Sequence, residues 1–251
     1  MKAMLFAAGL GTRLSPLTEH KPKALIEVAG KTLLQRNVDL LASQGVNQII
    51  INVHHFSNQV IDFVKKLQTP QLSIHISDET DRLLDTGGGL KKASHFFNDG
   101  QPFVIMNTDV VTNFNLYSMV ELHHESEAMA TLAVRNRNSG RNFLFNNQQL
   151  LCGWQDVKKG TQRLVRDDIP LVPLAFSGIQ VISPAIFSYF PKEDIFSLVD
   201  LYLDAARHER IVAYIHDTDF WFDAGSIEKI AVIEKFFASK SSAKQDHQTK
   251  K

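Results

Sequence analysis

Small residues and single cations follow one another in Phe6-Ala7-Ala8-Gly9-Leu10-Gly11-Thr12-Arg13-Leu14, and Lys23 stands ten positions beyond Arg13. Alanine and glycine leave backbone N–H groups unobstructed, so a polyphosphate can approach the main chain and be cradled by it while Arg13 and Lys23 supply charge. Asp109 and Asp223 lie more than a hundred positions apart, and each follows a short apolar or aromatic run, Phe103 to Met106 and Phe220 to Phe222. Paired hard oxygen ligands suit Mg²⁺, which binds through one or two carboxylates plus substrate phosphates. Only the fold can bring the two together. The bland alternative is that Asp109 caps a helix and Asp223 makes a turn.

The glycine spacing excludes two common phosphate loops. A dinucleotide fingerprint needs a third glycine where this chain has Leu14, and an acidic residue near the ribose about 20 positions on. A Walker loop needs glycines further apart than Gly9 and Gly11. A ligand-free turn between strand and helix remains as the plain reading of a lone G-x-G. Pro16-Leu17-Thr18 and Pro22-Lys23-Ala24-Leu25 extend the irregular segment to roughly 20 residues, and long loops inside compact domains are usually functional.

The elements that must position these residues alternate. Apolar runs at Ala3 to Phe6, Gln48 to Val53, Leu72 to Ile76 and Phe103 to Met106 read as strands. Helical spacing predicts helices over Leu33 to Gln44, Ser57 to Leu67 with Ser57 as N-cap, Gly89 to Phe97 and Leu116 to Glu125. The pattern predicts an α/β fold with a doubly wound sheet, parallel in its first half, where ligands bind outside the carboxyl ends of the strands. After strand Ala130 to Val134 the texture becomes β-rich, with a hairpin turn at Asn146-Asn147. Strands Phe176 to Ile182 and Ile211 to Ile215 and helices Ile195 to Arg207 and Ser226 to Ala238 follow. Residues 1–238 read as one domain, and 239–251 as a polar, disordered tail.

Composition narrows the partners. Lys plus Arg and Asp plus Glu both total 27 in 251 residues, so no global field favours nucleic acid or an anionic membrane, and any anion site must be local. The single cysteine, Cys152, excludes an internal disulfide, which fits a reducing, cytoplasmic compartment. No stretch approaches the roughly 20 apolar residues that span a bilayer.

Four ordered motifs carry a family resemblance. The Ala7 to Leu14 loop with Pro16-Leu17-Thr18 and Pro22-Lys23, then Leu84-Asp85-Thr86-Gly87-Gly88-Gly89, Asn107-Thr108-Asp109 and Trp221-Phe222-Asp223-Ala224-Gly225-Ser226, resemble the motifs of sugar-phosphate nucleotidyltransferases. With Phe176-Ser177-Gly178-Ile179 added, the chain looks most similar to N-acetylmuramate 1-phosphate uridylyltransferases, and also to mannose 1-phosphate guanylyltransferases. The resemblance implies a Rossmann-like, mixed but mainly parallel sheet of the nucleotide-diphospho-sugar transferase fold, with a small β-rich region for the acceptor. It implies transfer of a nucleotidyl group from a nucleoside triphosphate, UTP first, to a sugar 1-phosphate, with release of pyrophosphate. It further implies Arg13 on the departing pyrophosphate, Lys23 on the reacting phosphates, and Mg²⁺ on Asp109 and Asp223. The substrates and nucleotide would meet Ala7, Ala8, Gly9, Gly11, Thr12, Thr86, Gly87, Gly88, Asn107 and Gly178.

Some letters depart from the family pattern. Thr108 stands where glycine is commoner, Asp85 replaces the glycine of Leu-Gly-Thr, and Ser226 replaces a common threonine. The Glu-Lys-Pro segment that many relatives use to grip the sugar phosphate is missing, leaving Lys158, Lys159, Arg141 and Arg163 as candidates. His54-His55 could border the pocket, His123-His124 reads as solvent-facing, and Cys152 reads as buried filler. A nucleotide-sugar sensor that binds without turnover is the alternative of another class. The joint presence of Arg13, Lys23, Asp109 and Asp223 speaks against it. A choline-phosphate cytidylyltransferase would need an aromatic or acidic cage for its cation, which the sequence does not display.

Overall fold

Lys2–Phe6 forms the first strand, β1, and its alternate side chains are buried on opposite faces of a sheet. A computed structural model describes residues 1–248, with side chains as far as Lys240. After β1 come β2 (Glu27–Val28), β3 (Lys31–Thr32), α1 (Leu33–Ser43), β4 (Gln48–Val53), α2 (Ser57–Lys65), β5 (Ser73–Asp78) and α3 (Asp85–Ala93). The middle holds β6 (Phe103–Asn107), β7 (Val110–Thr112), α4 (Leu116–Glu125), β8 (Ala130–Arg135), β9 (Arg141–Phe145), β10 (Leu151–Asp156) and β11 (Thr161–Leu164). The chain closes with β12 (Val172–Ile182), α5 (Leu198–Ala205), β13 (Ile211–Ile215), β14 (Trp221–Asp223) and α6 (Ile227–Gln248).

The sheet is mixed and doubly wound, as expected. Strands β5, β4, β1 and β6 lie side by side, all parallel. Ala3 and Leu5 pack with Leu34 and Val38 of α1, Val60 and Val64 of α2 and Met119 of α4. Met4, Ile50 and Ile105 face the other way, onto Leu90 of α3 and Leu201 of α5. Strands buried on both faces read as continuous apolar runs for this reason. Beyond β6 the sheet turns antiparallel through β12, whose first residues pair with β9 and whose last pair with β6 and β8. The β9–β10–β11 meander is the expected β-rich region, and the β9–β10 turn closes on the Asn146 side chain, which accepts from the Gln148 and Leu150 amides.

Several expectations need correction. Ser57 is the first helical residue of α2, and Phe56, at φ 54°, takes the cap position without a side-chain bond. Helix α3 starts at Asp85, four residues before the expected Gly89, so the three glycines lie inside it. Helix α6 runs to Gln248 instead of ending near Ala238. Residues 239–248 contain no proline or glycine to stop it; positions 249–251 of the expected tail lie outside the described residues. The short strands β2, β3, β7, β11 and β14 carry too few residues to show a period. His123 is buried, not solvent-facing: it bridges Thr131 Oγ1 at 3.0 Å and Ser183 Oγ at 2.9 Å, and burial pushes its pKa down to about 4. Among the described residues no helix is long and apolar enough to cross a membrane.

Candidate active site

The carboxyl ends of β1, β4, β5 and β6 surround a cavity of about 460 Å³. Ala7, Ala8, Gly9, Lys23, Thr86, Asn107 and Asp109 line it, together with Asn52, Glu79 and Asp85. Its floor is a buried chain of side chains that the sequence reading missed. Asn52 Oδ1, at the end of β4, accepts from the Ala7 amide at 2.8 Å and from the Ala8 amide at 3.4 Å. Its Nδ2 donates to Glu79 Oε1 at 2.8 Å, and Glu79, after β5, is fully buried. Burial raises the Glu79 pKa. The first two loop amides are therefore committed to Asn52. Those of Gly9, Leu10 and Gly11 make no hydrogen bond among the described residues and are the donors left for an anion.

The loop beyond is held by its own turns and by a third apolar cluster. Gly11 sits at φ 66°, with Lys23 Cβ and Thr18 Cγ2 each 3.0 Å from where a Cβ would stand, so only glycine fits. Gly11 O accepts from the Leu14 amide and the Thr18 hydroxyl. Leu14 is buried with Val28, Leu33, Val111 and Ile233, which anchors the loop to α1 and α6.

Lys23 Nζ donates to Asp109 Oδ2 at 2.5 Å. Asp109 follows β6 and is stitched in place by its neighbour Thr108, whose hydroxyl donates to Phe6 O at 2.7 Å while Asn37 Nδ2 donates to Thr108 O at 2.9 Å. A glycine at this position could not make the hydroxyl bond, so the departure from the family pattern ties β6 to β1. The ribbon β7–β14 then brings the distant aspartate alongside: Asp223 pairs with Val110, and the Ala224 amide donates to Asp109 O at 2.8 Å. Asp223 is held by Lys229, which donates to both of its oxygens.

These two carboxylates suit a hard cation. Among the described residues no group of three or more His, Cys, Asp or Glu could hold a metal. An ion on Asp109 and Asp223 would draw its remaining ligands from phosphates and water, which is how Mg²⁺ is commonly bound. Each carboxylate now carries one ammonium, a positive charge that a divalent cation can replace.

Other expected residues lie elsewhere. Gly87 and Gly88 are buried in α3 with both amides donating to Phe196 O. A Cβ on Gly88 would stand 2.0 Å from Asp194 O, so these glycines let α3 approach the 194–196 loop instead of opening onto the cavity. Gly178, at φ 77°, forms the bulge in β12 behind Asn107. Gly11, Thr12 and Arg13 stand outside the cavity, and the Arg13 guanidinium lies close to Gly225. Asp85, at φ 60°, turns its Oδ1 back to the Thr86 amide. Of the proposed acceptor grips, Arg141 pairs with Asp156 and Arg163 with Asp200, while Lys158 and Lys159 are exposed on a turn. His54 donates to Glu79 O, and neither it nor His55 lines the cavity. Cys152 is buried, its thiol donating to Leu150 O.

Asn52 did leave a signal, an amide inside the apolar run Ile49-Ile50-Ile51-Asn52-Val53. A polar group buried on a central strand needs a partner. Glu79 and Lys229 left none.

Comparison with known proteins gives concordant results. Residues 2–143 match the nucleotidyl transferase family. The chain is 32% identical over 233 residues to the N-acetylmuramate alpha-1-phosphate uridylyltransferase of Caulobacter vibrioides, a match covering 89% of this chain and 91% of that protein. It is 27% identical over 234 residues to the mannose-1-phosphate guanyltransferase of Yarrowia lipolytica, covering 90% of this chain and 61% of that one. Among solved structures, a UDP-glucose pyrophosphorylase from Acinetobacter superposes with a TM-score of 0.80 at 18% identity, over 100% of this chain and 99% of the other. That likeness concerns the fold.

Proposed function

We propose that this chain, which belongs to the nucleotidyl transferase family and is a sugar 1-phosphate nucleotidyltransferase, uses UTP with N-acetylmuramate 1-phosphate or a related hexose 1-phosphate. The observation that carries the reading is the pairing of Lys23 with Asp109 on the cavity wall, next to the ribbon that delivers Asp223. Similarity to the muramate enzyme over nearly the full length of both chains supports the choice of acceptor and base.

The reaction is attack by a phosphate oxygen of the sugar 1-phosphate on the α-phosphorus of the triphosphate. One phosphorus–oxygen bond forms, the bond to the β-phosphate breaks, and pyrophosphate leaves with that electron pair. No protein nucleophile or proton acceptor is required, so positioning and charge do the catalytic work. The nucleoside lies in the cavity against Ala7, Ala8 and Thr86 with Asn107 opposite, and the amides of Gly9 to Gly11 face the phosphates. Lys23 neutralises charge at the reacting phosphates, and Arg13 takes the departing pyrophosphate. Mg²⁺ held by Asp109 and Asp223 would supply further neutralisation of the charge that grows on the leaving oxygens. Such a reaction belongs in the cytoplasm, where its triphosphate is found.

The alternative is GTP with mannose 1-phosphate, favoured by the similarity to the guanyltransferase, although this chain spans less than two thirds of that protein. A pyrophosphate-release screen crossing UTP, GTP, CTP, ATP and dTTP with N-acetylmuramate, N-acetylglucosamine, glucose and mannose 1-phosphates decides between them. The expected optimum is UTP with N-acetylmuramate 1-phosphate, abolished by chelator and restored by Mg²⁺. An optimum at GTP with mannose 1-phosphate replaces the assignment.

A further inference from the structure

Asp223 has more cations around it than it can neutralise. Lys229, in the first turn of α6, donates to both of its oxygens, at 2.6 and 2.5 Å. Arg13 Nη2 lies 3.4 Å from the Cβ position of Gly225, and Asp223 Oδ1 lies 2.7 Å from that same point. Arg137 completes the group, its guanidinium 4.5 Å from the centre of the Trp221 ring. Trp221 and Asp223 alternate onto one face of β14. Among the described residues Asp109 and Asp223 each have one ion-pair partner, Lys23 and Lys229, and the two arginines stand further off from Asp223.

Lys229 stands against both oxygens of Asp223 and neutralises its charge, so a divalent cation arriving there competes with it for the same carboxylate. The Lys229 side chain is 50% exposed and lies on the surface of α6, free to turn on its stem. The neighbouring Trp221 indole donates to Ser177 O at the bulge of β12, which ties the ribbon to that strand.

We propose that Lys229 is a placeholder for the metal: it holds Asp223 in the metal-free protein, is displaced from it by the divalent cation, and then turns its ammonium to the phosphate of the acceptor sugar. The inference rests on the reading of Asp223 as a metal ligand and on the function proposed above. Lys229 neutralises Asp223 before loading and the divalent cation does so afterwards, which leaves the Lys229 ammonium, beside Arg13 and Arg137, to meet the incoming phosphate. Cation loading and the exposure of a phosphate-binding group become one event, so an acceptor finds its grip only once the metal is in place.

The test compares the wild-type chain with Lys229→Gln and Lys229→Arg. Mn²⁺ is titrated into each protein without nucleotide or sugar and followed by electron paramagnetic resonance. The KM of N-acetylmuramate 1-phosphate, or of whichever screened sugar 1-phosphate turns over fastest, is measured alongside. Lys229→Gln is expected to bind Mn²⁺ about threefold more tightly, the worth of one partly exposed ion pair. It is also expected to raise the acceptor KM about tenfold, from a lost charge-assisted contact. Lys229→Arg stays near wild type in Mn²⁺ affinity. Should Lys229→Gln melt early, Lys229→Met serves in its place. Unchanged or weaker Mn²⁺ binding in the neutral variant overturns the proposal, and so does an unaltered acceptor KM. Because the titration contains no substrate, an error in the donor or acceptor appears only in the turnover screen and is told apart from a failure here.

Discussion

The Asp109 half of the site and the Asp223 half are built by different means. Asp109 sits at the end of a central strand, with Thr108 bonded to Phe6, Asn37 bonded to Thr108, and Lys23 brought over by an anchored loop. Asp223 sits on a three-residue strand of a two-stranded ribbon, against a half-exposed lysine and two arginines. The first half draws its order from side chains bonded to main-chain carbonyls inside the fold, whose breaking would leave buried polar groups unpaired. The second is held by exposed charge, which exchanges readily. The difference teaches that one half is preorganised for the nucleotide while the other is left to adjust when cation and acceptor arrive.

The largest expected effect separates the halves directly. Asp109→Ala should lower kcat on the order of a thousandfold, and Asp223→Ala about a hundredfold, because the flanking cations keep part of the charge arrangement on that side. Steady-state rates with folding checked by circular dichroism measure this, and equal losses would break the comparison. Next comes the rigid half's support. Gly88→Ala puts a methyl group 2.0 Å from Asp194 O and should cost about 3 kcal/mol of stability in urea unfolding. A near-neutral result would show that the 194–196 loop yields easily.

The smallest effect concerns Glu79. Burial raises its pKa in the folded chain, so the folded state holds its proton more tightly than the unfolded one, and stability falls as pH rises from the ordinary carboxylate value through the folded value. Glu79→Gln keeps an acceptor for Asn52 and removes that loss. Its Tm should exceed wild type by a few degrees at pH 7, with the gain vanishing in acid. A gain that persists in acid would assign the effect to packing.

Much of the fold was legible because strands buried on both faces alternate with amphipathic helices, a pattern written in adjacent letters. Strands went unread where local signals were thin, as at β7 and β14, and a bound failed where they misled, as with the glycines of α3. Glycine normally weakens a helix. Here it is tolerated because Gly87 and Gly88 bring α3 against the Phe196 carbonyl, a contact more than a hundred positions away.

By itself, then, the sequence determined the loop from Ala7 to Leu25, its cations and the four motifs, since each rests on neighbours along the chain. Which amides stay free, where the glycines point and which cations surround Asp223 were decided by tertiary structure alone. Those properties arise from the register of β7 with β14 and from the Asn52–Glu79 chain, contacts between segments that no local spacing connects.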